Sequence, residues 1–108
     1  MKRKFEKQLD HDICVEKLAT EWKNEGYIVE ADLDGWSKPP EIMGYVPDVF
    51  AYERKSNITR ICEVETEDTI ETDEMQWMAF KRYADKYAGI HFWLFVAGDG
   101  GGYSYRSV

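Results

Sequence analysis

The chain has 108 residues and a mass of 12.7 kDa, enough for one domain but not for two independent cores. Its hydrophobic share of 44% is typical of a globular protein and excludes a disordered one. The 14 Lys and Arg residues are outnumbered by 21 Asp and Glu residues. This net charge of −7 argues against a general nucleic-acid coat protein, whose phosphate contacts require a basic surface.

The sequence also argues against a membrane or secreted protein. Its longest strongly apolar stretch, Ile90 to Ala97, is far shorter than the roughly 20 residues of a spanning helix. The basic and polar N-terminus lacks the apolar segment of a signal peptide. Cys14 and Cys62 have no metal-ligand spacing, so we expect two buried free thiols and a cytoplasmic location.

The negative charge is concentrated in one segment. Glu63 to Glu74 contains seven acidic residues and no basic one, so the rest of the chain is neutral. From Glu67 onward, a solvated acidic loop followed by a helix start explains this run, because acidic side chains favour the positive end of the helix dipole. An acidic module that binds a basic partner is an alternative interpretation.

The hydrophobic pattern predicts six elements in the order αβββαβ, within a single domain over residues 1–108. The predicted elements are a helix ending at Asn24 with possible interruptions at Asp10 or Asp12, strands at 27–32, 47–52 and 60–65, a helix starting near Thr72 or Asp73, and a strand at 90–97. Phe5, Leu9 and Trp22 belong to the predicted apolar stripe of the first helix. Residues 98–108 are glycine-rich at their start, and we expect a flexible tail or a weak edge strand.

Three carboxylates are expected to converge on one patch of this fold. Side chains alternate across a strand, so Glu63 and Glu65 point to the same face. A hairpin joining the second and third strands can place Asp48 beside them. Such a patch suits Mg²⁺ or Mn²⁺, which bind oxygen ligands and can activate water at a phosphodiester. The alternative is a charged, solvent-facing side of the sheet.

These residues resemble the motif of the PD-(D/E)XK nuclease superfamily, with Gly44-Tyr-Val-Pro47-Asp48 followed after a hairpin by Glu63-Val64-Glu65. The core of that family is αβββαβ around a mixed four-stranded sheet, the element order predicted here. The resemblance implies a metal-dependent nuclease that hydrolyses phosphodiester bonds, usually in DNA. It also implies that Asp48, Glu63 and the backbone carbonyl of Val64 bind the metal ion.

The chain departs from the family at Glu65, which stands where the motif usually has lysine. Glu65 is therefore expected as a metal ligand or a base for water, with Lys81 or Lys55 as candidates for the lysine role. Gln76 and Phe80 resemble the Gln-x-x-x-Tyr element of one branch of these nucleases. The alternative for Gln76 is a capping box with Asp73.

Several further expectations follow. Glu16 resembles an acidic residue that some members of the family bring to the metal. The alternative is that Glu16 belongs to a solvated, charged face of the first helix. Trp36 is the one aromatic residue considered for stacking on a base. His11 has no partner at ligand spacing, and His91 is expected in the core.

DNA is the expected partner, and duplex-cutting members of the family commonly pair, which implies a homodimer. The alternative function is a catalytically silent protein of this fold that binds nucleic acid or another protein.

Overall fold

A computed structural model describes residues 4–108 of the chain as two helices and a five-stranded sheet. The elements are α1 (Phe5–Asn24), β1 (Ile28–Ala31), β2 (Val49–Glu53), β3 (Ile58–Glu65), α2 (Glu74–Lys86), β4 (Ile90–Ala97) and β5 (Tyr103–Arg106), with a 3₁₀ turn at Asp99–Gly101. Neither helix in this part of the chain combines the length and the apolar character needed to cross a membrane.

The sheet is mixed and its strands lie in chain order, β1-β2-β3-β4-β5. Neighbouring strands are antiparallel except β3 and β4, which run parallel because α2 carries the chain back across the sheet. The α/β class and the order of the first six elements agree with the sequence prediction. The sheet has five strands instead of four, because Tyr103–Arg106 pairs with the end of β4. For residues 98–108 the sequence analysis expected either a flexible tail or a weak edge strand, and part of this segment forms an edge strand.

Each face of the sheet is covered by one helix. On one side, Leu18 and Trp22 of α1 pack with Cys62 and Val64 of β3. On the other, Phe80 of α2 forms a smaller core. The two cores position the N-terminal parts of α1 and α2 at one end of the sheet. At this end β2 begins and β3 ends.

The expected free thiols are confirmed, since Cys14 and Cys62 are both unbridged and buried against the α1 face. Burial raises the pKa of the Cys14 thiol to about 12, and burial likewise raises the pKa of Cys62 well above its usual value. Both groups are therefore held as neutral thiols, which behave as small apolar side chains.

The start of α1 and the start of β4 differ from the prediction. α1 continues without interruption through Asp10 and Asp12. Phe5 and Leu9, predicted on its apolar stripe, are exposed, since the buried face of α1 begins only at His11. His91, expected in the core, is also exposed, since the first half of β4 is covered less than its second half.

Candidate active site

Asp48 and Glu63 lie side by side where β2 begins and β3 ends. The antiparallel register pairs Val49 with Cys62, so the residue before Val49 faces the residue after Cys62. The backbone N–H of Asp48 donates to Glu63 Oε1 at 3.3 Å, and the N–H of Val64 donates to Asp48 Oδ2 at 2.7 Å. The hairpin thus brings together the two carboxylates that the sequence placed on one patch.

Glu63 is buried and Asp48 is largely so, and each carboxyl group changes the pKa of the other. Burial raises the pKa of Glu63, which is only 3% exposed, and the charge of Asp48 raises it further, to well above the usual range. Burial alone would raise the pKa of Asp48 as well. The hydrogen bond and charge of His11, together with the hydrogen bonds from Glu63 and the Val64 amide, instead lower it. These opposite shifts favour the protonated form of Glu63 and the ionised form of Asp48.

Gln76 is the third predicted site residue that lies beside Asp48 and Glu63. Its Nε2 donates to Glu63 Oε2 at 2.6 Å from the first turn of α2. The capping-box alternative is wrong, because the backbone N–H of Asp73 donates to Thr69 O and the Asp73 side chain makes no capping hydrogen bond. Gln76 therefore fixes the orientation of the Glu63 carboxyl group.

Glu65 has a different environment. It is fully buried, and its Oε2 accepts a hydrogen bond of 2.6 Å from the Thr69 hydroxyl in the segment that leads to α2. Glu65 points to the same face as Glu63 and its charge contributes to the raised pKa of Glu63. It does not line the cleft in which Asp48 and Glu63 are accessible. A direct metal or base role for Glu65 remains a prediction.

His11 is a site residue that the sequence analysis missed. Its Nε2 lies 3.2 Å from Asp48 Oδ1 and its Nδ1 lies 2.9 Å from Asp12 Oδ1. Gln8 also donates to Asp12 Oδ1, at 2.8 Å. A signal was present in the sequence, because His11 precedes the buried Cys14 by three residues on the inner stripe of α1. A histidine on a core-facing helical stripe needs a polar partner, and here that partner is Asp48.

These side chains line a cleft of about 220 Å³ between the first part of α1 and the first part of α2. Its walls are polar except for one valine, and they contain no Lys or Arg of the described chain; the lining residues are Gln8, His11, Asp12, Asp32, Val46, Asp48, Glu63, Asp73 and Gln76. Within residues 4–108, no group of three or more His, Cys, Asp or Glu side chains is already arranged to hold a metal ion.

The other candidates for site roles lie elsewhere. Lys81 pairs with Asp85 at 2.9 Å, and Lys55 is exposed in the β2–β3 turn, so neither lines the cleft. Glu16 accepts a hydrogen bond of 2.6 Å from the Trp36 indole. That bond, together with packing of Trp36 on the α1 core, gives both residues a structural role outside the cleft.

Comparison of the chain with protein-family models, with curated proteins and with solved structures gives no significant match.

Proposed function

We propose that the chain is a metal-dependent nuclease of the PD-(D/E)XK type, which binds Mg²⁺ or Mn²⁺ at Asp48 and Glu63 and hydrolyses phosphodiester bonds in DNA. The observation that carries the proposal is the meeting of the buried Glu63 and the largely buried Asp48 in one polar cleft, where the backbone N–H of Asp48 donates to Glu63 and the N–H of Val64 donates to Asp48. A pair of this kind is unfavourable once both groups ionise unless a cation joins them. The element order and the resemblance of the motif point to the same activity.

The donor set fits a small, hard cation. Mg²⁺ prefers oxygen ligands and needs only one or two carboxylates, since waters and substrate phosphate complete its octahedral shell. Asp48 and Glu63 would supply the carboxylates, with the Val64 carbonyl as the backbone ligand that the resemblance implies. When bound, the ion would polarise the phosphodiester and lower the pKa of the attacking water.

The surrounding residues prepare the pair for this task. Gln76 donates to Glu63 Oε2 and leaves Oε1 directed towards Asp48. His11 fixes Asp48 Oδ1, while the Val64 amide fixes Oδ2. Three elements therefore orient the two carboxyl groups, and a bound cation would replace the proton that is favoured on Glu63.

Metal binding and cleavage test the proposal directly. We expect calorimetric titration of the full chain with Mn²⁺ to give a binding isotherm that Glu63→Gln and Asp48→Asn abolish. Glu67→Gln is the matched control, because Glu67 belongs to the same acidic run but is exposed and outside the cleft. Single-stranded, duplex and branched DNA should be cleaved only with added metal ion. Intact DNA in all three forms, with no effect of Glu63→Gln on metal binding, would refute the proposal.

A catalytically silent protein of the same fold is the second candidate. It is favoured by Glu65, which is held by Thr69 where the motif usually has lysine, and by the lack of Lys and Arg in the described walls of the cleft. Binding of DNA without hydrolysis, and without a metal requirement, would favour this candidate over the enzyme.

A further inference from the structure

A tight hairpin stands directly before the candidate active site. Ile42 and Tyr45 form an antiparallel bridge with two backbone hydrogen bonds, of 2.7 Å and 3.0 Å. The two residues between them, Met43 and Gly44, have positive φ angles of 55° and 87°. Positive φ at both central positions is the geometry of a type I′ turn.

Met43 is an unusual residue for the tip of this turn. Asn-Gly or Gly-Gly is preferred there, because a long side chain in the left-handed region costs about 1 kcal/mol or more. Met43 is also 58% exposed, so burial of its side chain does not offset that strain. Neither turn formation nor packing within residues 4–108 therefore accounts for an apolar side chain at the tip.

The base of the hairpin is firmly held while its tip projects. Ile42 is buried in the core beneath α2, and the Tyr45 ring meets Phe80 edge-to-face with centroids 6.2 Å apart. Val46, the next residue, is partly exposed and lines the cleft. Asp48 follows Met43 by five positions in the chain, so their Cα atoms are at most about 18 Å apart. The tip is thus an anchored apolar projection within that distance of the carboxylate pair.

We propose that Met43 is an apolar wedge that contacts the face of a nucleobase next to the phosphate bound in the cleft and separates it from its neighbour in the strand. This inference rests on the proposed nuclease function and extends it to the form of the substrate, a strand with unstacked bases. A thioether cannot bind phosphate, but it packs well against the flat face of a base, and inserted Met and Leu side chains are known to unstack base steps. Val46 continues the apolar surface from the tip to the cleft.

Cleavage kinetics on single-stranded oligonucleotides test the wedge. We expect Met43→Asn to lower kcat/KM about tenfold, the equivalent of losing about 1.4 kcal/mol of apolar contact. Met43→Leu keeps an apolar tip of similar size and the same backbone strain, so it should stay within about twofold of the original protein. Ile28→Thr removes another exposed apolar side chain, at the end of edge strand β1 that is remote from Asp48, where no effect is expected.

The stability readout separates loss of a contact from loss of the fold. Asn-Gly suits the turn better than Met-Gly, so Met43→Asn should unfold at the same or a higher urea concentration. Met43→Gly offers the same comparison should the asparagine variant not fold.

A series of oligonucleotides, each lacking one base, locates the contact. The original protein should lose about tenfold in kcat/KM at one abasic position, whereas Met43→Asn should lose little there. Equal kinetics for the original protein and Met43→Asn would overturn the wedge and leave the nuclease proposal standing. No cleavage of any DNA by the original protein would overturn both.

Discussion

Replacing Glu63 by Gln tests the electrostatics of the carboxylate pair without any assumption about activity. A glutamine side chain resembles a protonated glutamic acid, since it presents one oxygen acceptor and one donor group. Its carbonyl oxygen can take the place of Oε2 and accept from Gln76, and its amide nitrogen can take the place of Oε1 and donate to the Asp48 carboxylate; only the 3.3 Å hydrogen bond from the Asp48 amide is lost. The variant therefore mimics the form of Glu63 that the metal-free fold favours.

The expected effect follows from proton linkage. The pKa of Glu63 is raised in the folded chain, so the folded state binds more protons than the unfolded state once the pH passes the usual glutamate pKa near 4.5. The stabilisation by protonated Glu63 is complete below that pH and is lost as the pH rises towards the folded-state pKa. Within this window the free energy of unfolding should fall by about 1.4 kcal/mol per pH unit.

Urea denaturation between pH 5 and pH 9, with a chelator present, measures this slope. The difference in free energy of unfolding between Glu63→Gln and the original protein should widen in favour of the variant as the pH rises. Taking the difference removes contributions from other groups common to both proteins. Glu67→Gln, at an exposed position, should give a constant difference. Parallel profiles for Glu63→Gln and the original protein would refute the raised pKa of Glu63.

Added Mg²⁺ should reverse the order of stability of Glu63→Gln and the original protein. A ligand that binds only the folded state stabilises it by RT ln(1 + [L]/Kd), and the effect should grow with pH because the ion must displace the proton on Glu63. The original protein should then become more stable than Glu63→Gln at high pH. Magnesium that stabilises both proteins equally would contradict a site on Glu63.

Three substitutions away from the cleft test the packing that positions it, each by urea denaturation. Thr69→Val removes the hydroxyl that donates to buried Glu65 and should destabilise the fold by about 1–3 kcal/mol, whereas Thr69→Ser should not; equal stability of the two variants would argue against that hydrogen bond. Phe80→Ala empties the core beneath α2 and should cost about 3–5 kcal/mol, and a loss below 1 kcal/mol would indicate that α2 is loosely packed. Gly89→Ala should destabilise by at least about 1 kcal/mol, because Gly89 has a φ of +84° and an added Cβ would lie 2.9 Å from Asn57 O; an unchanged midpoint would contradict this close approach.

The meeting of Asp48 and Glu63 could be predicted from the sequence, because it depends on local rules. Alternation along a strand fixes which side chains share a face, and a short hairpin fixes which residues of two adjacent strands are opposite. The packing of Phe80 beneath α2 was not predicted, because the sequence analysis singled out Phe80 only by its spacing of four residues from Gln76. Strand limits were predicted within about two residues, since hydrophobic runs and turn residues mark them.

The contributions of His11, Gln76 and Glu65 were decided by tertiary structure. The angle at which α1 crosses the sheet brings His11 to Asp48, and no spacing in the sequence encodes that contact. From the sequence, Gln76 could belong either to the site or to a capping box with Asp73. Its hydrogen bond to Glu63 in the folded chain distinguishes the two. Glu65 shares a face with Glu63, but the segment before α2 folds over it and Thr69 takes up its oxygen. Local periodicity thus determined which side chains face the same way, whereas the packing of helices and loops over the sheet determined which of them reach the cleft.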